Sequence, residues 1–526
     1  MQNRSRQKTK ILYPFFFALF PVLFLYSYNI EEVSWRALWV PAAFCLVLAV
    51  LIYLGSRLVL KNKAKAALVT FLFSFMAFSY GHFHNLAGNF LSQKLRLSDT
   101  VITLAWVLAF CLLGGLAVLV KKEPVVLSSF FNILVSLLVL LVLAQIAWFH
   151  LGQIFSPRGK LSPLEPLAAS RNSALRADQL PDIYYLIFDR YASDQTLRVF
   201  YQFENSDFSN SLRAKGFYIA SESRCNYPFT LFSLSSSLNL THLTSIVEKG
   251  PLSIRFLYRM LQDHAVWRLL KSVGYKYIHL GSWYEGTRVN RHADWNFKGK
   301  GLFDLSRDFT QKFLETTVLA PALKNKVAVS GGQGRVLQTL KTLSDVPTIQ
   351  GPKFIFAHVL LPHHPFLFGP GGEKTTSGKA TKETQAAKYI DQLQFTNKKI
   401  LWLIDELISK SERPPVIILQ SDEGPGEEEK PILEIAKYKK KHRDTVKWRI
   451  RCHILNAFYW PGVHPDIFYK TMTPVNTFRL LFNSYFGTHY ELLEDRTYFG
   501  VGTKKKVLRF KEFPKSTWIK KFAKLE

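Results

Sequence analysis

The sequence predicts an α-helical membrane anchor of five helices, followed by an α/β domain with a mostly parallel central sheet. Three observations predict it. Residues 11 to 149 are largely apolar and fall into five stretches. From about residue 181 the composition turns mixed, and apolar strand-like runs alternate with helical patterns. Several of those runs end abruptly in acidic or histidine side chains, as in PDIYYLIFDRYAS, where Ile183 to Phe188 lead straight into Asp189–Arg190. At 526 residues the chain exceeds one ordinary domain.

The apolar stretches are Ile11–Asn29, Ala37–Leu60, Ala66–His82, Val101–Val120 and Val125–Phe149. Each approaches or exceeds the ~20 residues a helix needs to cross the hydrocarbon of a bilayer. The first lacks a small-residue cleavage site, so it reads as an anchor and not a cleavable signal. The third is the least apolar, with Ser74, Ser79 and Gly81, and its alternative is an interfacial helix. Basic residues flank alternate ends: Arg4 to Lys10, then Arg57 to Lys65, then Lys121 and Lys122. That alternation sets the N-terminus in the cytoplasm of a multi-pass inner-membrane protein and everything after Phe149 outside it. No Asp, Glu, Lys or Arg sits mid-span, which argues against a transporter.

Charge narrows the partners. With 68 Lys plus Arg against 39 Asp plus Glu, the chain suits nucleic acid or an anionic membrane surface. An outer domain meets lipid and envelope polymers, so nucleic acid drops out. The expected organisation is an anchor over 1–150, a Ser- and Pro-rich linker over 151–180, a catalytic domain over 181–502 and a basic tail over 503–526. The tail interleaves Lys with Phe, Trp and Ile, as a segment lying on anionic lipid does, with a solvated helix or a frayed end the alternative. Cys225 and Cys452 would face an oxidising compartment, which leaves a disulfide between them open.

Five strand-like runs follow the linker: IYYLIF, the end of VWRLLKSVGYKYIHLG, KFIFAHVLL, VIILQ and HILNAFY. A helix, a glycine and then a strand recur in order, with Gly216 as a helix C-cap. Continuous apolar strands separated by helices make a parallel sheet covered on both faces, and ligands bind beyond the carboxyl ends of such strands. Asp189 follows the first run, His358, His363 and His364 lie in or after the third, and Asp422–Glu423 follow the fourth. Three strand ends thus offer carboxylates or imidazoles to one rim.

The segments DIYYLIFDRYA, SRCNYPFTLFSLSSSLN, HVLLPHHPF and IILQSDEGP resemble the sulfatase-like branch of the alkaline phosphatase superfamily. The layout resembles its membrane-anchored phosphotransferases, the lipoteichoic acid synthase and phosphoethanolamine transferase type. The resemblance covers roughly Pro181 to Phe499 together with the anchor. It implies an α/β sulfatase/alkaline-phosphatase-like domain that holds a divalent metal ion through Asp189, Asp422 and Glu423. It also implies a nucleophile at Thr230. Glu423 stands where the family has His, and Arg190 where many sulfatases have a second Asp. An oxygen-rich shell of this kind favours Mn, Mg or Ca over Zn. The local string CNYPFT lacks the C-x-P-x-R signature of formylglycine sulfatases.

Thr230 also has a physical case. TLFSLSSSLN reads as a helix starting just after it, so its hydroxyl would sit at a helix N-terminus where phosphate is welcome. A plain Thr N-cap is the alternative, and Ser233 is the next candidate nucleophile. His363 and His364 are candidates for catalytic proton donation. Arg190, Arg224 and His358 are candidates for binding substrate, with a packed core side chain the alternative for His358. His453 reads more readily as a core histidine, and GEEEK after Pro425 as a solvated loop.

The expected activity is metal-dependent transfer or hydrolysis of a phosphoryl-linked group on a membrane lipid or envelope glycan substrate. The alternatives are a sulfate or phosphate ester hydrolase, and a non-catalytic envelope protein that keeps the fold for binding.

Overall fold

The computed structural model describes residues 11–30, 35–90, 99–119, 125–155, 180–248, 252–282, 284–297, 309–310, 313–314, 316–319, 332–375, 382–426, 429–431, 440–502 and 508–514. The expected linker beyond residue 155, most of the basic tail and the basic residues Arg4–Lys10, Lys121 and Lys122 lie outside them. The chain divides into two compact units. Unit one comprises Met1–Gly159 with Lys300–Ala328, and unit two Lys160–Gly299 with Val329–Glu526.

Among the described residues, unit one holds five apolar helices: α1 (Tyr13–Tyr28), α2 (Trp39–Leu60), α3 (Lys63–Phe90), α4 (Asp99–Leu119) and α5 (Val125–Phe155). Among the described residues, three stretches are long and apolar enough to cross a membrane: Trp39–Leu60, Lys63–His84 and Val126–Leu151. Tyr13–Tyr28 and Val101–Gly115 are shorter apolar helices. At 1.5 Å per residue the first of these reaches about 24 Å, less than the ~30 Å hydrocarbon core. α3 runs unbroken through Ser74, Ser79 and Gly81. Thr70 Oγ1 donates to the Ala66 carbonyl at 2.8 Å, and Ser79 Oγ to that of Phe75. Helical carbonyls thus satisfy hydroxyls that lipid would not.

Unit two contains a seven-stranded sheet in the order β2-β7-β6-β1-β5-β3-β4. Its strands are β1 (Ile183–Phe188), β2 (Tyr218–Ile219), β3 (Lys276–Leu280), β4 (Trp295–Phe297), β5 (Lys353–Val359), β6 (Val416–Gln420) and β7 (Asn456–Tyr459). β6, β1, β5, β3 and β4 pair in parallel, while β7 and β2 run antiparallel at one edge. The longer helices are α6 (Asp194–Tyr201), α7 (Ser206–Ala214), α8 (Thr230–Ser237), α9 (Ile254–Gln262), α10 (Ala265–Ser272), α11 (Gly332–Asp345), α12 (Lys382–Lys410), α13 (Lys440–Cys452) and α14 (Pro474–Phe486). A small hairpin, β8 (Tyr498–Gly502) and β9 (Leu508–Glu512), completes the unit.

The apolar runs are continuous because both faces of the sheet are covered. Ile183, Tyr185 and Ile187 of β1 join one core cluster, with Phe354 and Phe356 of β5 and Val416 and Ile418 of β6. Tyr184, Leu186 and Phe188 join the other, with Ile355, Ala357 and Val359 of β5 and Ile417 and Leu419 of β6. Successive side chains point to opposite faces, so a strand buried on both sides has few polar positions to offer. The helix–glycine–strand turns follow the same economy. Gly216 after α7 has φ +90° and Gly274 after α10 has φ +94°, a region that a Cβ disfavours.

Leu419 has no exposed surface. Leu419→Ala is expected to destabilise unit two by about 2–5 kcal/mol. The thermal unfolding midpoint of the purified chain in detergent measures this, and the loss should leave the helices of unit one intact by circular dichroism.

Candidate metal and nucleophile site

Sheet order decides which strand ends become neighbours. β1 lies between β6 and β5, and Ile187 pairs with both Gln420 and His358. The chain therefore leaves β1 at Asp189 and β6 at Ser421–Asp422 beside the last turn of β5, where His358 stands. Asp189 N–H extends the ladder by one bond, to Val359 O at 3.0 Å. One ligand atom from each of Asp189, His358 and Asp422 lies within 4.8 Å of the others, and all three residues are buried.

The group is electrostatically unfinished. Among the described residues, Asp189 Oδ1, both Asp422 oxygens and His358 Nε2 are buried without a hydrogen-bond partner. His358 Nε2 stands 3.4 Å from Asp189 Oδ2, long for a hydrogen bond. Burial opposes ionisation of Asp189, but His363, His358 and Arg190 more than offset it and hold its pKa well below the usual carboxylate range. Burial, reinforced by the like charge of Asp189, pushes Asp422 upward. Two carboxylates that repel each other in a dry pocket are the arrangement a divalent cation relieves. The donors fit such an ion. His358 Nδ1 is held by Thr287 Oγ1 at 2.7 Å and Ser282 Oγ at 3.2 Å, which orients Nε2 toward the carboxylates.

Thr230 is the first residue of α8, not the residue before it. Phe229 takes the N-cap position with extended backbone and no side-chain cap. The Thr230 hydroxyl is therefore not spent on capping, and it faces the Asp422 carboxylate closely enough to favour its charged form. Thr230 is half-buried while Phe229 beside it is 45% exposed. Ser233 lies inside the helix, buried, with its N–H on Phe229 O at 2.9 Å.

Around this group runs a second set of charges. Arg190 adopts φ +62°, uncommon outside glycine, and its Nη1 lies 2.7 Å from both oxygens of Glu429. Glu429 also accepts from His364 N–H at 3.1 Å and Gly426 N–H at 2.8 Å, and its Oε1 meets His364 Nδ1 at 2.9 Å. The expectation of a solvated GEEEK loop is corrected here: Glu429 is fully buried because it is the counter-ion of Arg190. Glu427 and Glu428 lie outside the described residues. Glu423 pairs through Oε1 with Arg451 Nη2 at 2.5 Å and with Arg190 Nε at 3.5 Å, while among the described residues its Oε2 is buried without a hydrogen-bond partner. Arg451 also donates to Pro228 O at 3.2 Å and Gly424 O at 3.0 Å, tying the Thr230 loop to the turn after β6. Gly426 permits this crowding, since a Cβ there would lie 2.6 Å from the Arg190 guanidinium. Glu429 and Glu423 pair directly with Arg190 and Arg451, which act on Asp189 and Asp422 through their charge.

The remaining candidates separate. His363 approaches Asp189, and burial pushes its pKa down to about 4, so it is neutral at physiological pH. His364 is the more exposed of the pair. Gln392 of α12 braces their loop, donating to Pro362 O at 3.1 Å and His363 O at 2.9 Å. Arg190 commits its guanidinium to the two glutamates. Arg224 reaches the Asp495 carbonyl at 3.3 Å, and His453 Nδ1 the Arg449 carbonyl at 2.9 Å, its pKa pushed down to about 4 by burial. Cys225 and Cys452 are buried, free and adjacent, with Cys225 N–H on Cys452 O at 2.9 Å. Sequence reading missed Arg451 and Glu429, and it gave His358 no place among the metal ligands. The one available signal was SDEGPG, whose glycines mark a turn crossed by other side chains.

No family model and no curated protein matches the chain. Solved structures similar to it include the C-terminal periplasmic domain of EptC from Escherichia coli, at 13% identity and TM-score 0.43 over 63% of this chain and 92% of that one. A second is the integral membrane lipooligosaccharide phosphoethanolamine transferase A from Neisseria meningitidis, at 12% identity and TM-score 0.35 over 86% of this chain and 88% of that one. A third is the lipoteichoic acid synthase LtaP from Listeria monocytogenes, at 9% identity and TM-score 0.40 over 60% and 77%.

Burial opposes the Glu429 charge, but the His364 hydrogen bond and Arg190 hold its pKa well below its ordinary value of 4.5. A depressed carboxylate pKa contributes stability that is present above the unfolded value and lost as pH falls toward the folded one. Unfolding midpoints of the wild type should therefore fall as pH drops below 4.5. Glu429→Gln should flatten that part of the profile and cost about 3 kcal/mol at neutral pH, because Arg190 stays buried without its counter-ion.

Proposed function

We propose that the chain is a membrane-anchored enzyme whose outer unit transfers or hydrolyses a phosphoryl-linked substituent on a lipid or envelope glycan, with a divalent metal ion and Thr230 as nucleophile. The observation that carries this reading is the juxtaposition of Asp189, His358 and Asp422, with buried atoms lacking partners, beside a threonine hydroxyl that caps nothing.

Asp189, Asp422 and His358 Nε2 would hold the ion, with Glu423 paired to Arg451. A set of two carboxylates and one imidazole suits Zn²⁺ or Mn²⁺ better than the all-oxygen shell expected from sequence. When bound, the ion supplies Lewis acidity to a phosphoryl oxygen and to the threonine hydroxyl. The chain's own residues do the rest. Thr230 Oγ1 passes its proton to the Asp422 carboxylate that it faces and attacks phosphorus, the bond to the leaving oxygen breaks, and a phosphothreonine results. The first N–H groups of α8 would offer donors to phosphoryl oxygens. His364, oriented by Glu429, donates the proton to the leaving oxygen. An acceptor hydroxyl or water then attacks the phosphothreonine and regenerates Thr230. Arg190 and Arg451 act as positioning residues, because they fix the loops that carry Asp189, Thr230 and Asp422.

Two measurements test the reading. Chain purified with its metal should hold one divalent ion per molecule by elemental analysis, falling at least about tenfold for Asp189→Asn and His358→Ala. Intact-mass analysis of chain from its native membrane should find a phosphoryl-containing adduct on Thr230. Thr230→Ala should lose the adduct and at least about a thousandfold in turnover while keeping the ion. An unaltered adduct or rate in Thr230→Ala rejects the nucleophile, and a wild type without bound ion rejects the metal.

A further inference from the structure

Residues 300–328 fall in the chain between β4 and α11, both of unit two, yet they belong to unit one. Their described part is Phe309–Thr310, Phe313–Leu314 and Thr316–Leu319. Phe313 is 1% exposed and Phe309 6%, in one apolar cluster with Val22 and Tyr26 of α1, Cys45 and Ala49 of α2, and Phe78 of α3. The Phe313 and Phe78 rings are 5.5 Å apart. Backbone bonds add register: Gly81 N–H donates to Thr316 O and Val318 N–H to Ala77 O, each at 2.9 Å. Small residues on α3, Ala77 and Gly81, let a second backbone come this close. The segment also satisfies itself, with Thr316 Oγ1 on Phe313 O at 2.6 Å and Thr317 Oγ1 on Leu314 O at 2.8 Å.

Direction supplies an independent check. The cluster uses the second half of α1, the first half of α2 and the second half of α3, with Ile146 in the second half of α5. In helices that alternate in direction these halves share one end of the bundle. It is the end that the alternating basic flanks assign to the outside, where a segment of unit two's sequence must be.

We propose that the segment bearing Phe309, Phe313 and residues 316–319 is a second membrane attachment of the outer unit, a strap that holds it to the membrane helices independently of the connection after α5. The docking surface is the outer end of α1, α2 and α3, and its occupant is this segment of the same chain. The proposal does not depend on the activity proposed above.

A protease site inserted within residues 160–175 of the full-length chain, in native membranes, tests it. After cleavage and a high-salt wash that removes electrostatic adsorption, the outer fragment should stay in the membrane pellet. In Phe309→Asp/Phe313→Asp at least tenfold more of it should appear in the supernatant. Release of the wild-type fragment, or equal retention of the variant's, overturns the proposal. A second measurement is independent of that variant's folding. Copper-catalysed oxidation of Phe78→Cys/Phe313→Cys, in a Cys45→Ala/Cys111→Ala background, should leave the two cleaved fragments joined on a non-reducing gel. Failure to join them also overturns it.

Discussion

Two like-charged buried carboxylates, Asp189 and Asp422, set the electrostatic constraint around which the site of unit two is arranged. Asp189 and Asp422 leave adjacent parallel strands, and the sheet order brings them together whether or not their charges agree. A fold that only needed stability would place apolar side chains there, since an unrelieved pair of buried charges costs far more than a typical contact returns. Keeping them is intelligible when a positive ion supplies what the chain withholds.

The neighbouring arginines sharpen this. Arg190 and Arg451 could have neutralised the two aspartates, but each is drawn off by a glutamate, Glu429 and Glu423. The separation is enforced by backbone: Arg190 takes a left-handed conformation, and Gly426 leaves room for both guanidinium groups. The arginines bond directly to the glutamates and act on the aspartates through their charge, while Thr230 faces Asp422. The same arginines that neutralise the glutamates therefore position the loops, and disorder among the glutamates is transmitted to the aspartates.

Much of this was legible in the sequence, for a physical reason. Strands buried on both faces are apolar along most of their length, so IYYLIF, KFIFAHV and VIILQ announced themselves, and the carboxylates at their ends followed. The helix at Thr230 was legible from its local pattern, although it begins at that residue and not after it. Pairings across long separations were hidden. Nothing near Arg451 indicates that it reaches Glu423 and Pro228, and Glu429 looked like one acid in a polar run. His358 sat in a strand with the same hydrophobic neighbours a core histidine has. Phe309 and Phe313 were equally obscure, because their interval carries charges and no long apolar run, the usual mark of a membrane contact.

The hydroxyls behind His358 admit either tautomer of its ring. Thr287 and Ser282 each hold a rotatable proton against the same ring nitrogen, so either can give or receive it. With Nδ1 bare they donate to it and Nε2 carries the ring proton; with Nδ1 protonated they accept from it and Nε2 is bare. The two tautomers differ by the transfer of a proton, and the same heavy-atom partners at Nδ1 suit both.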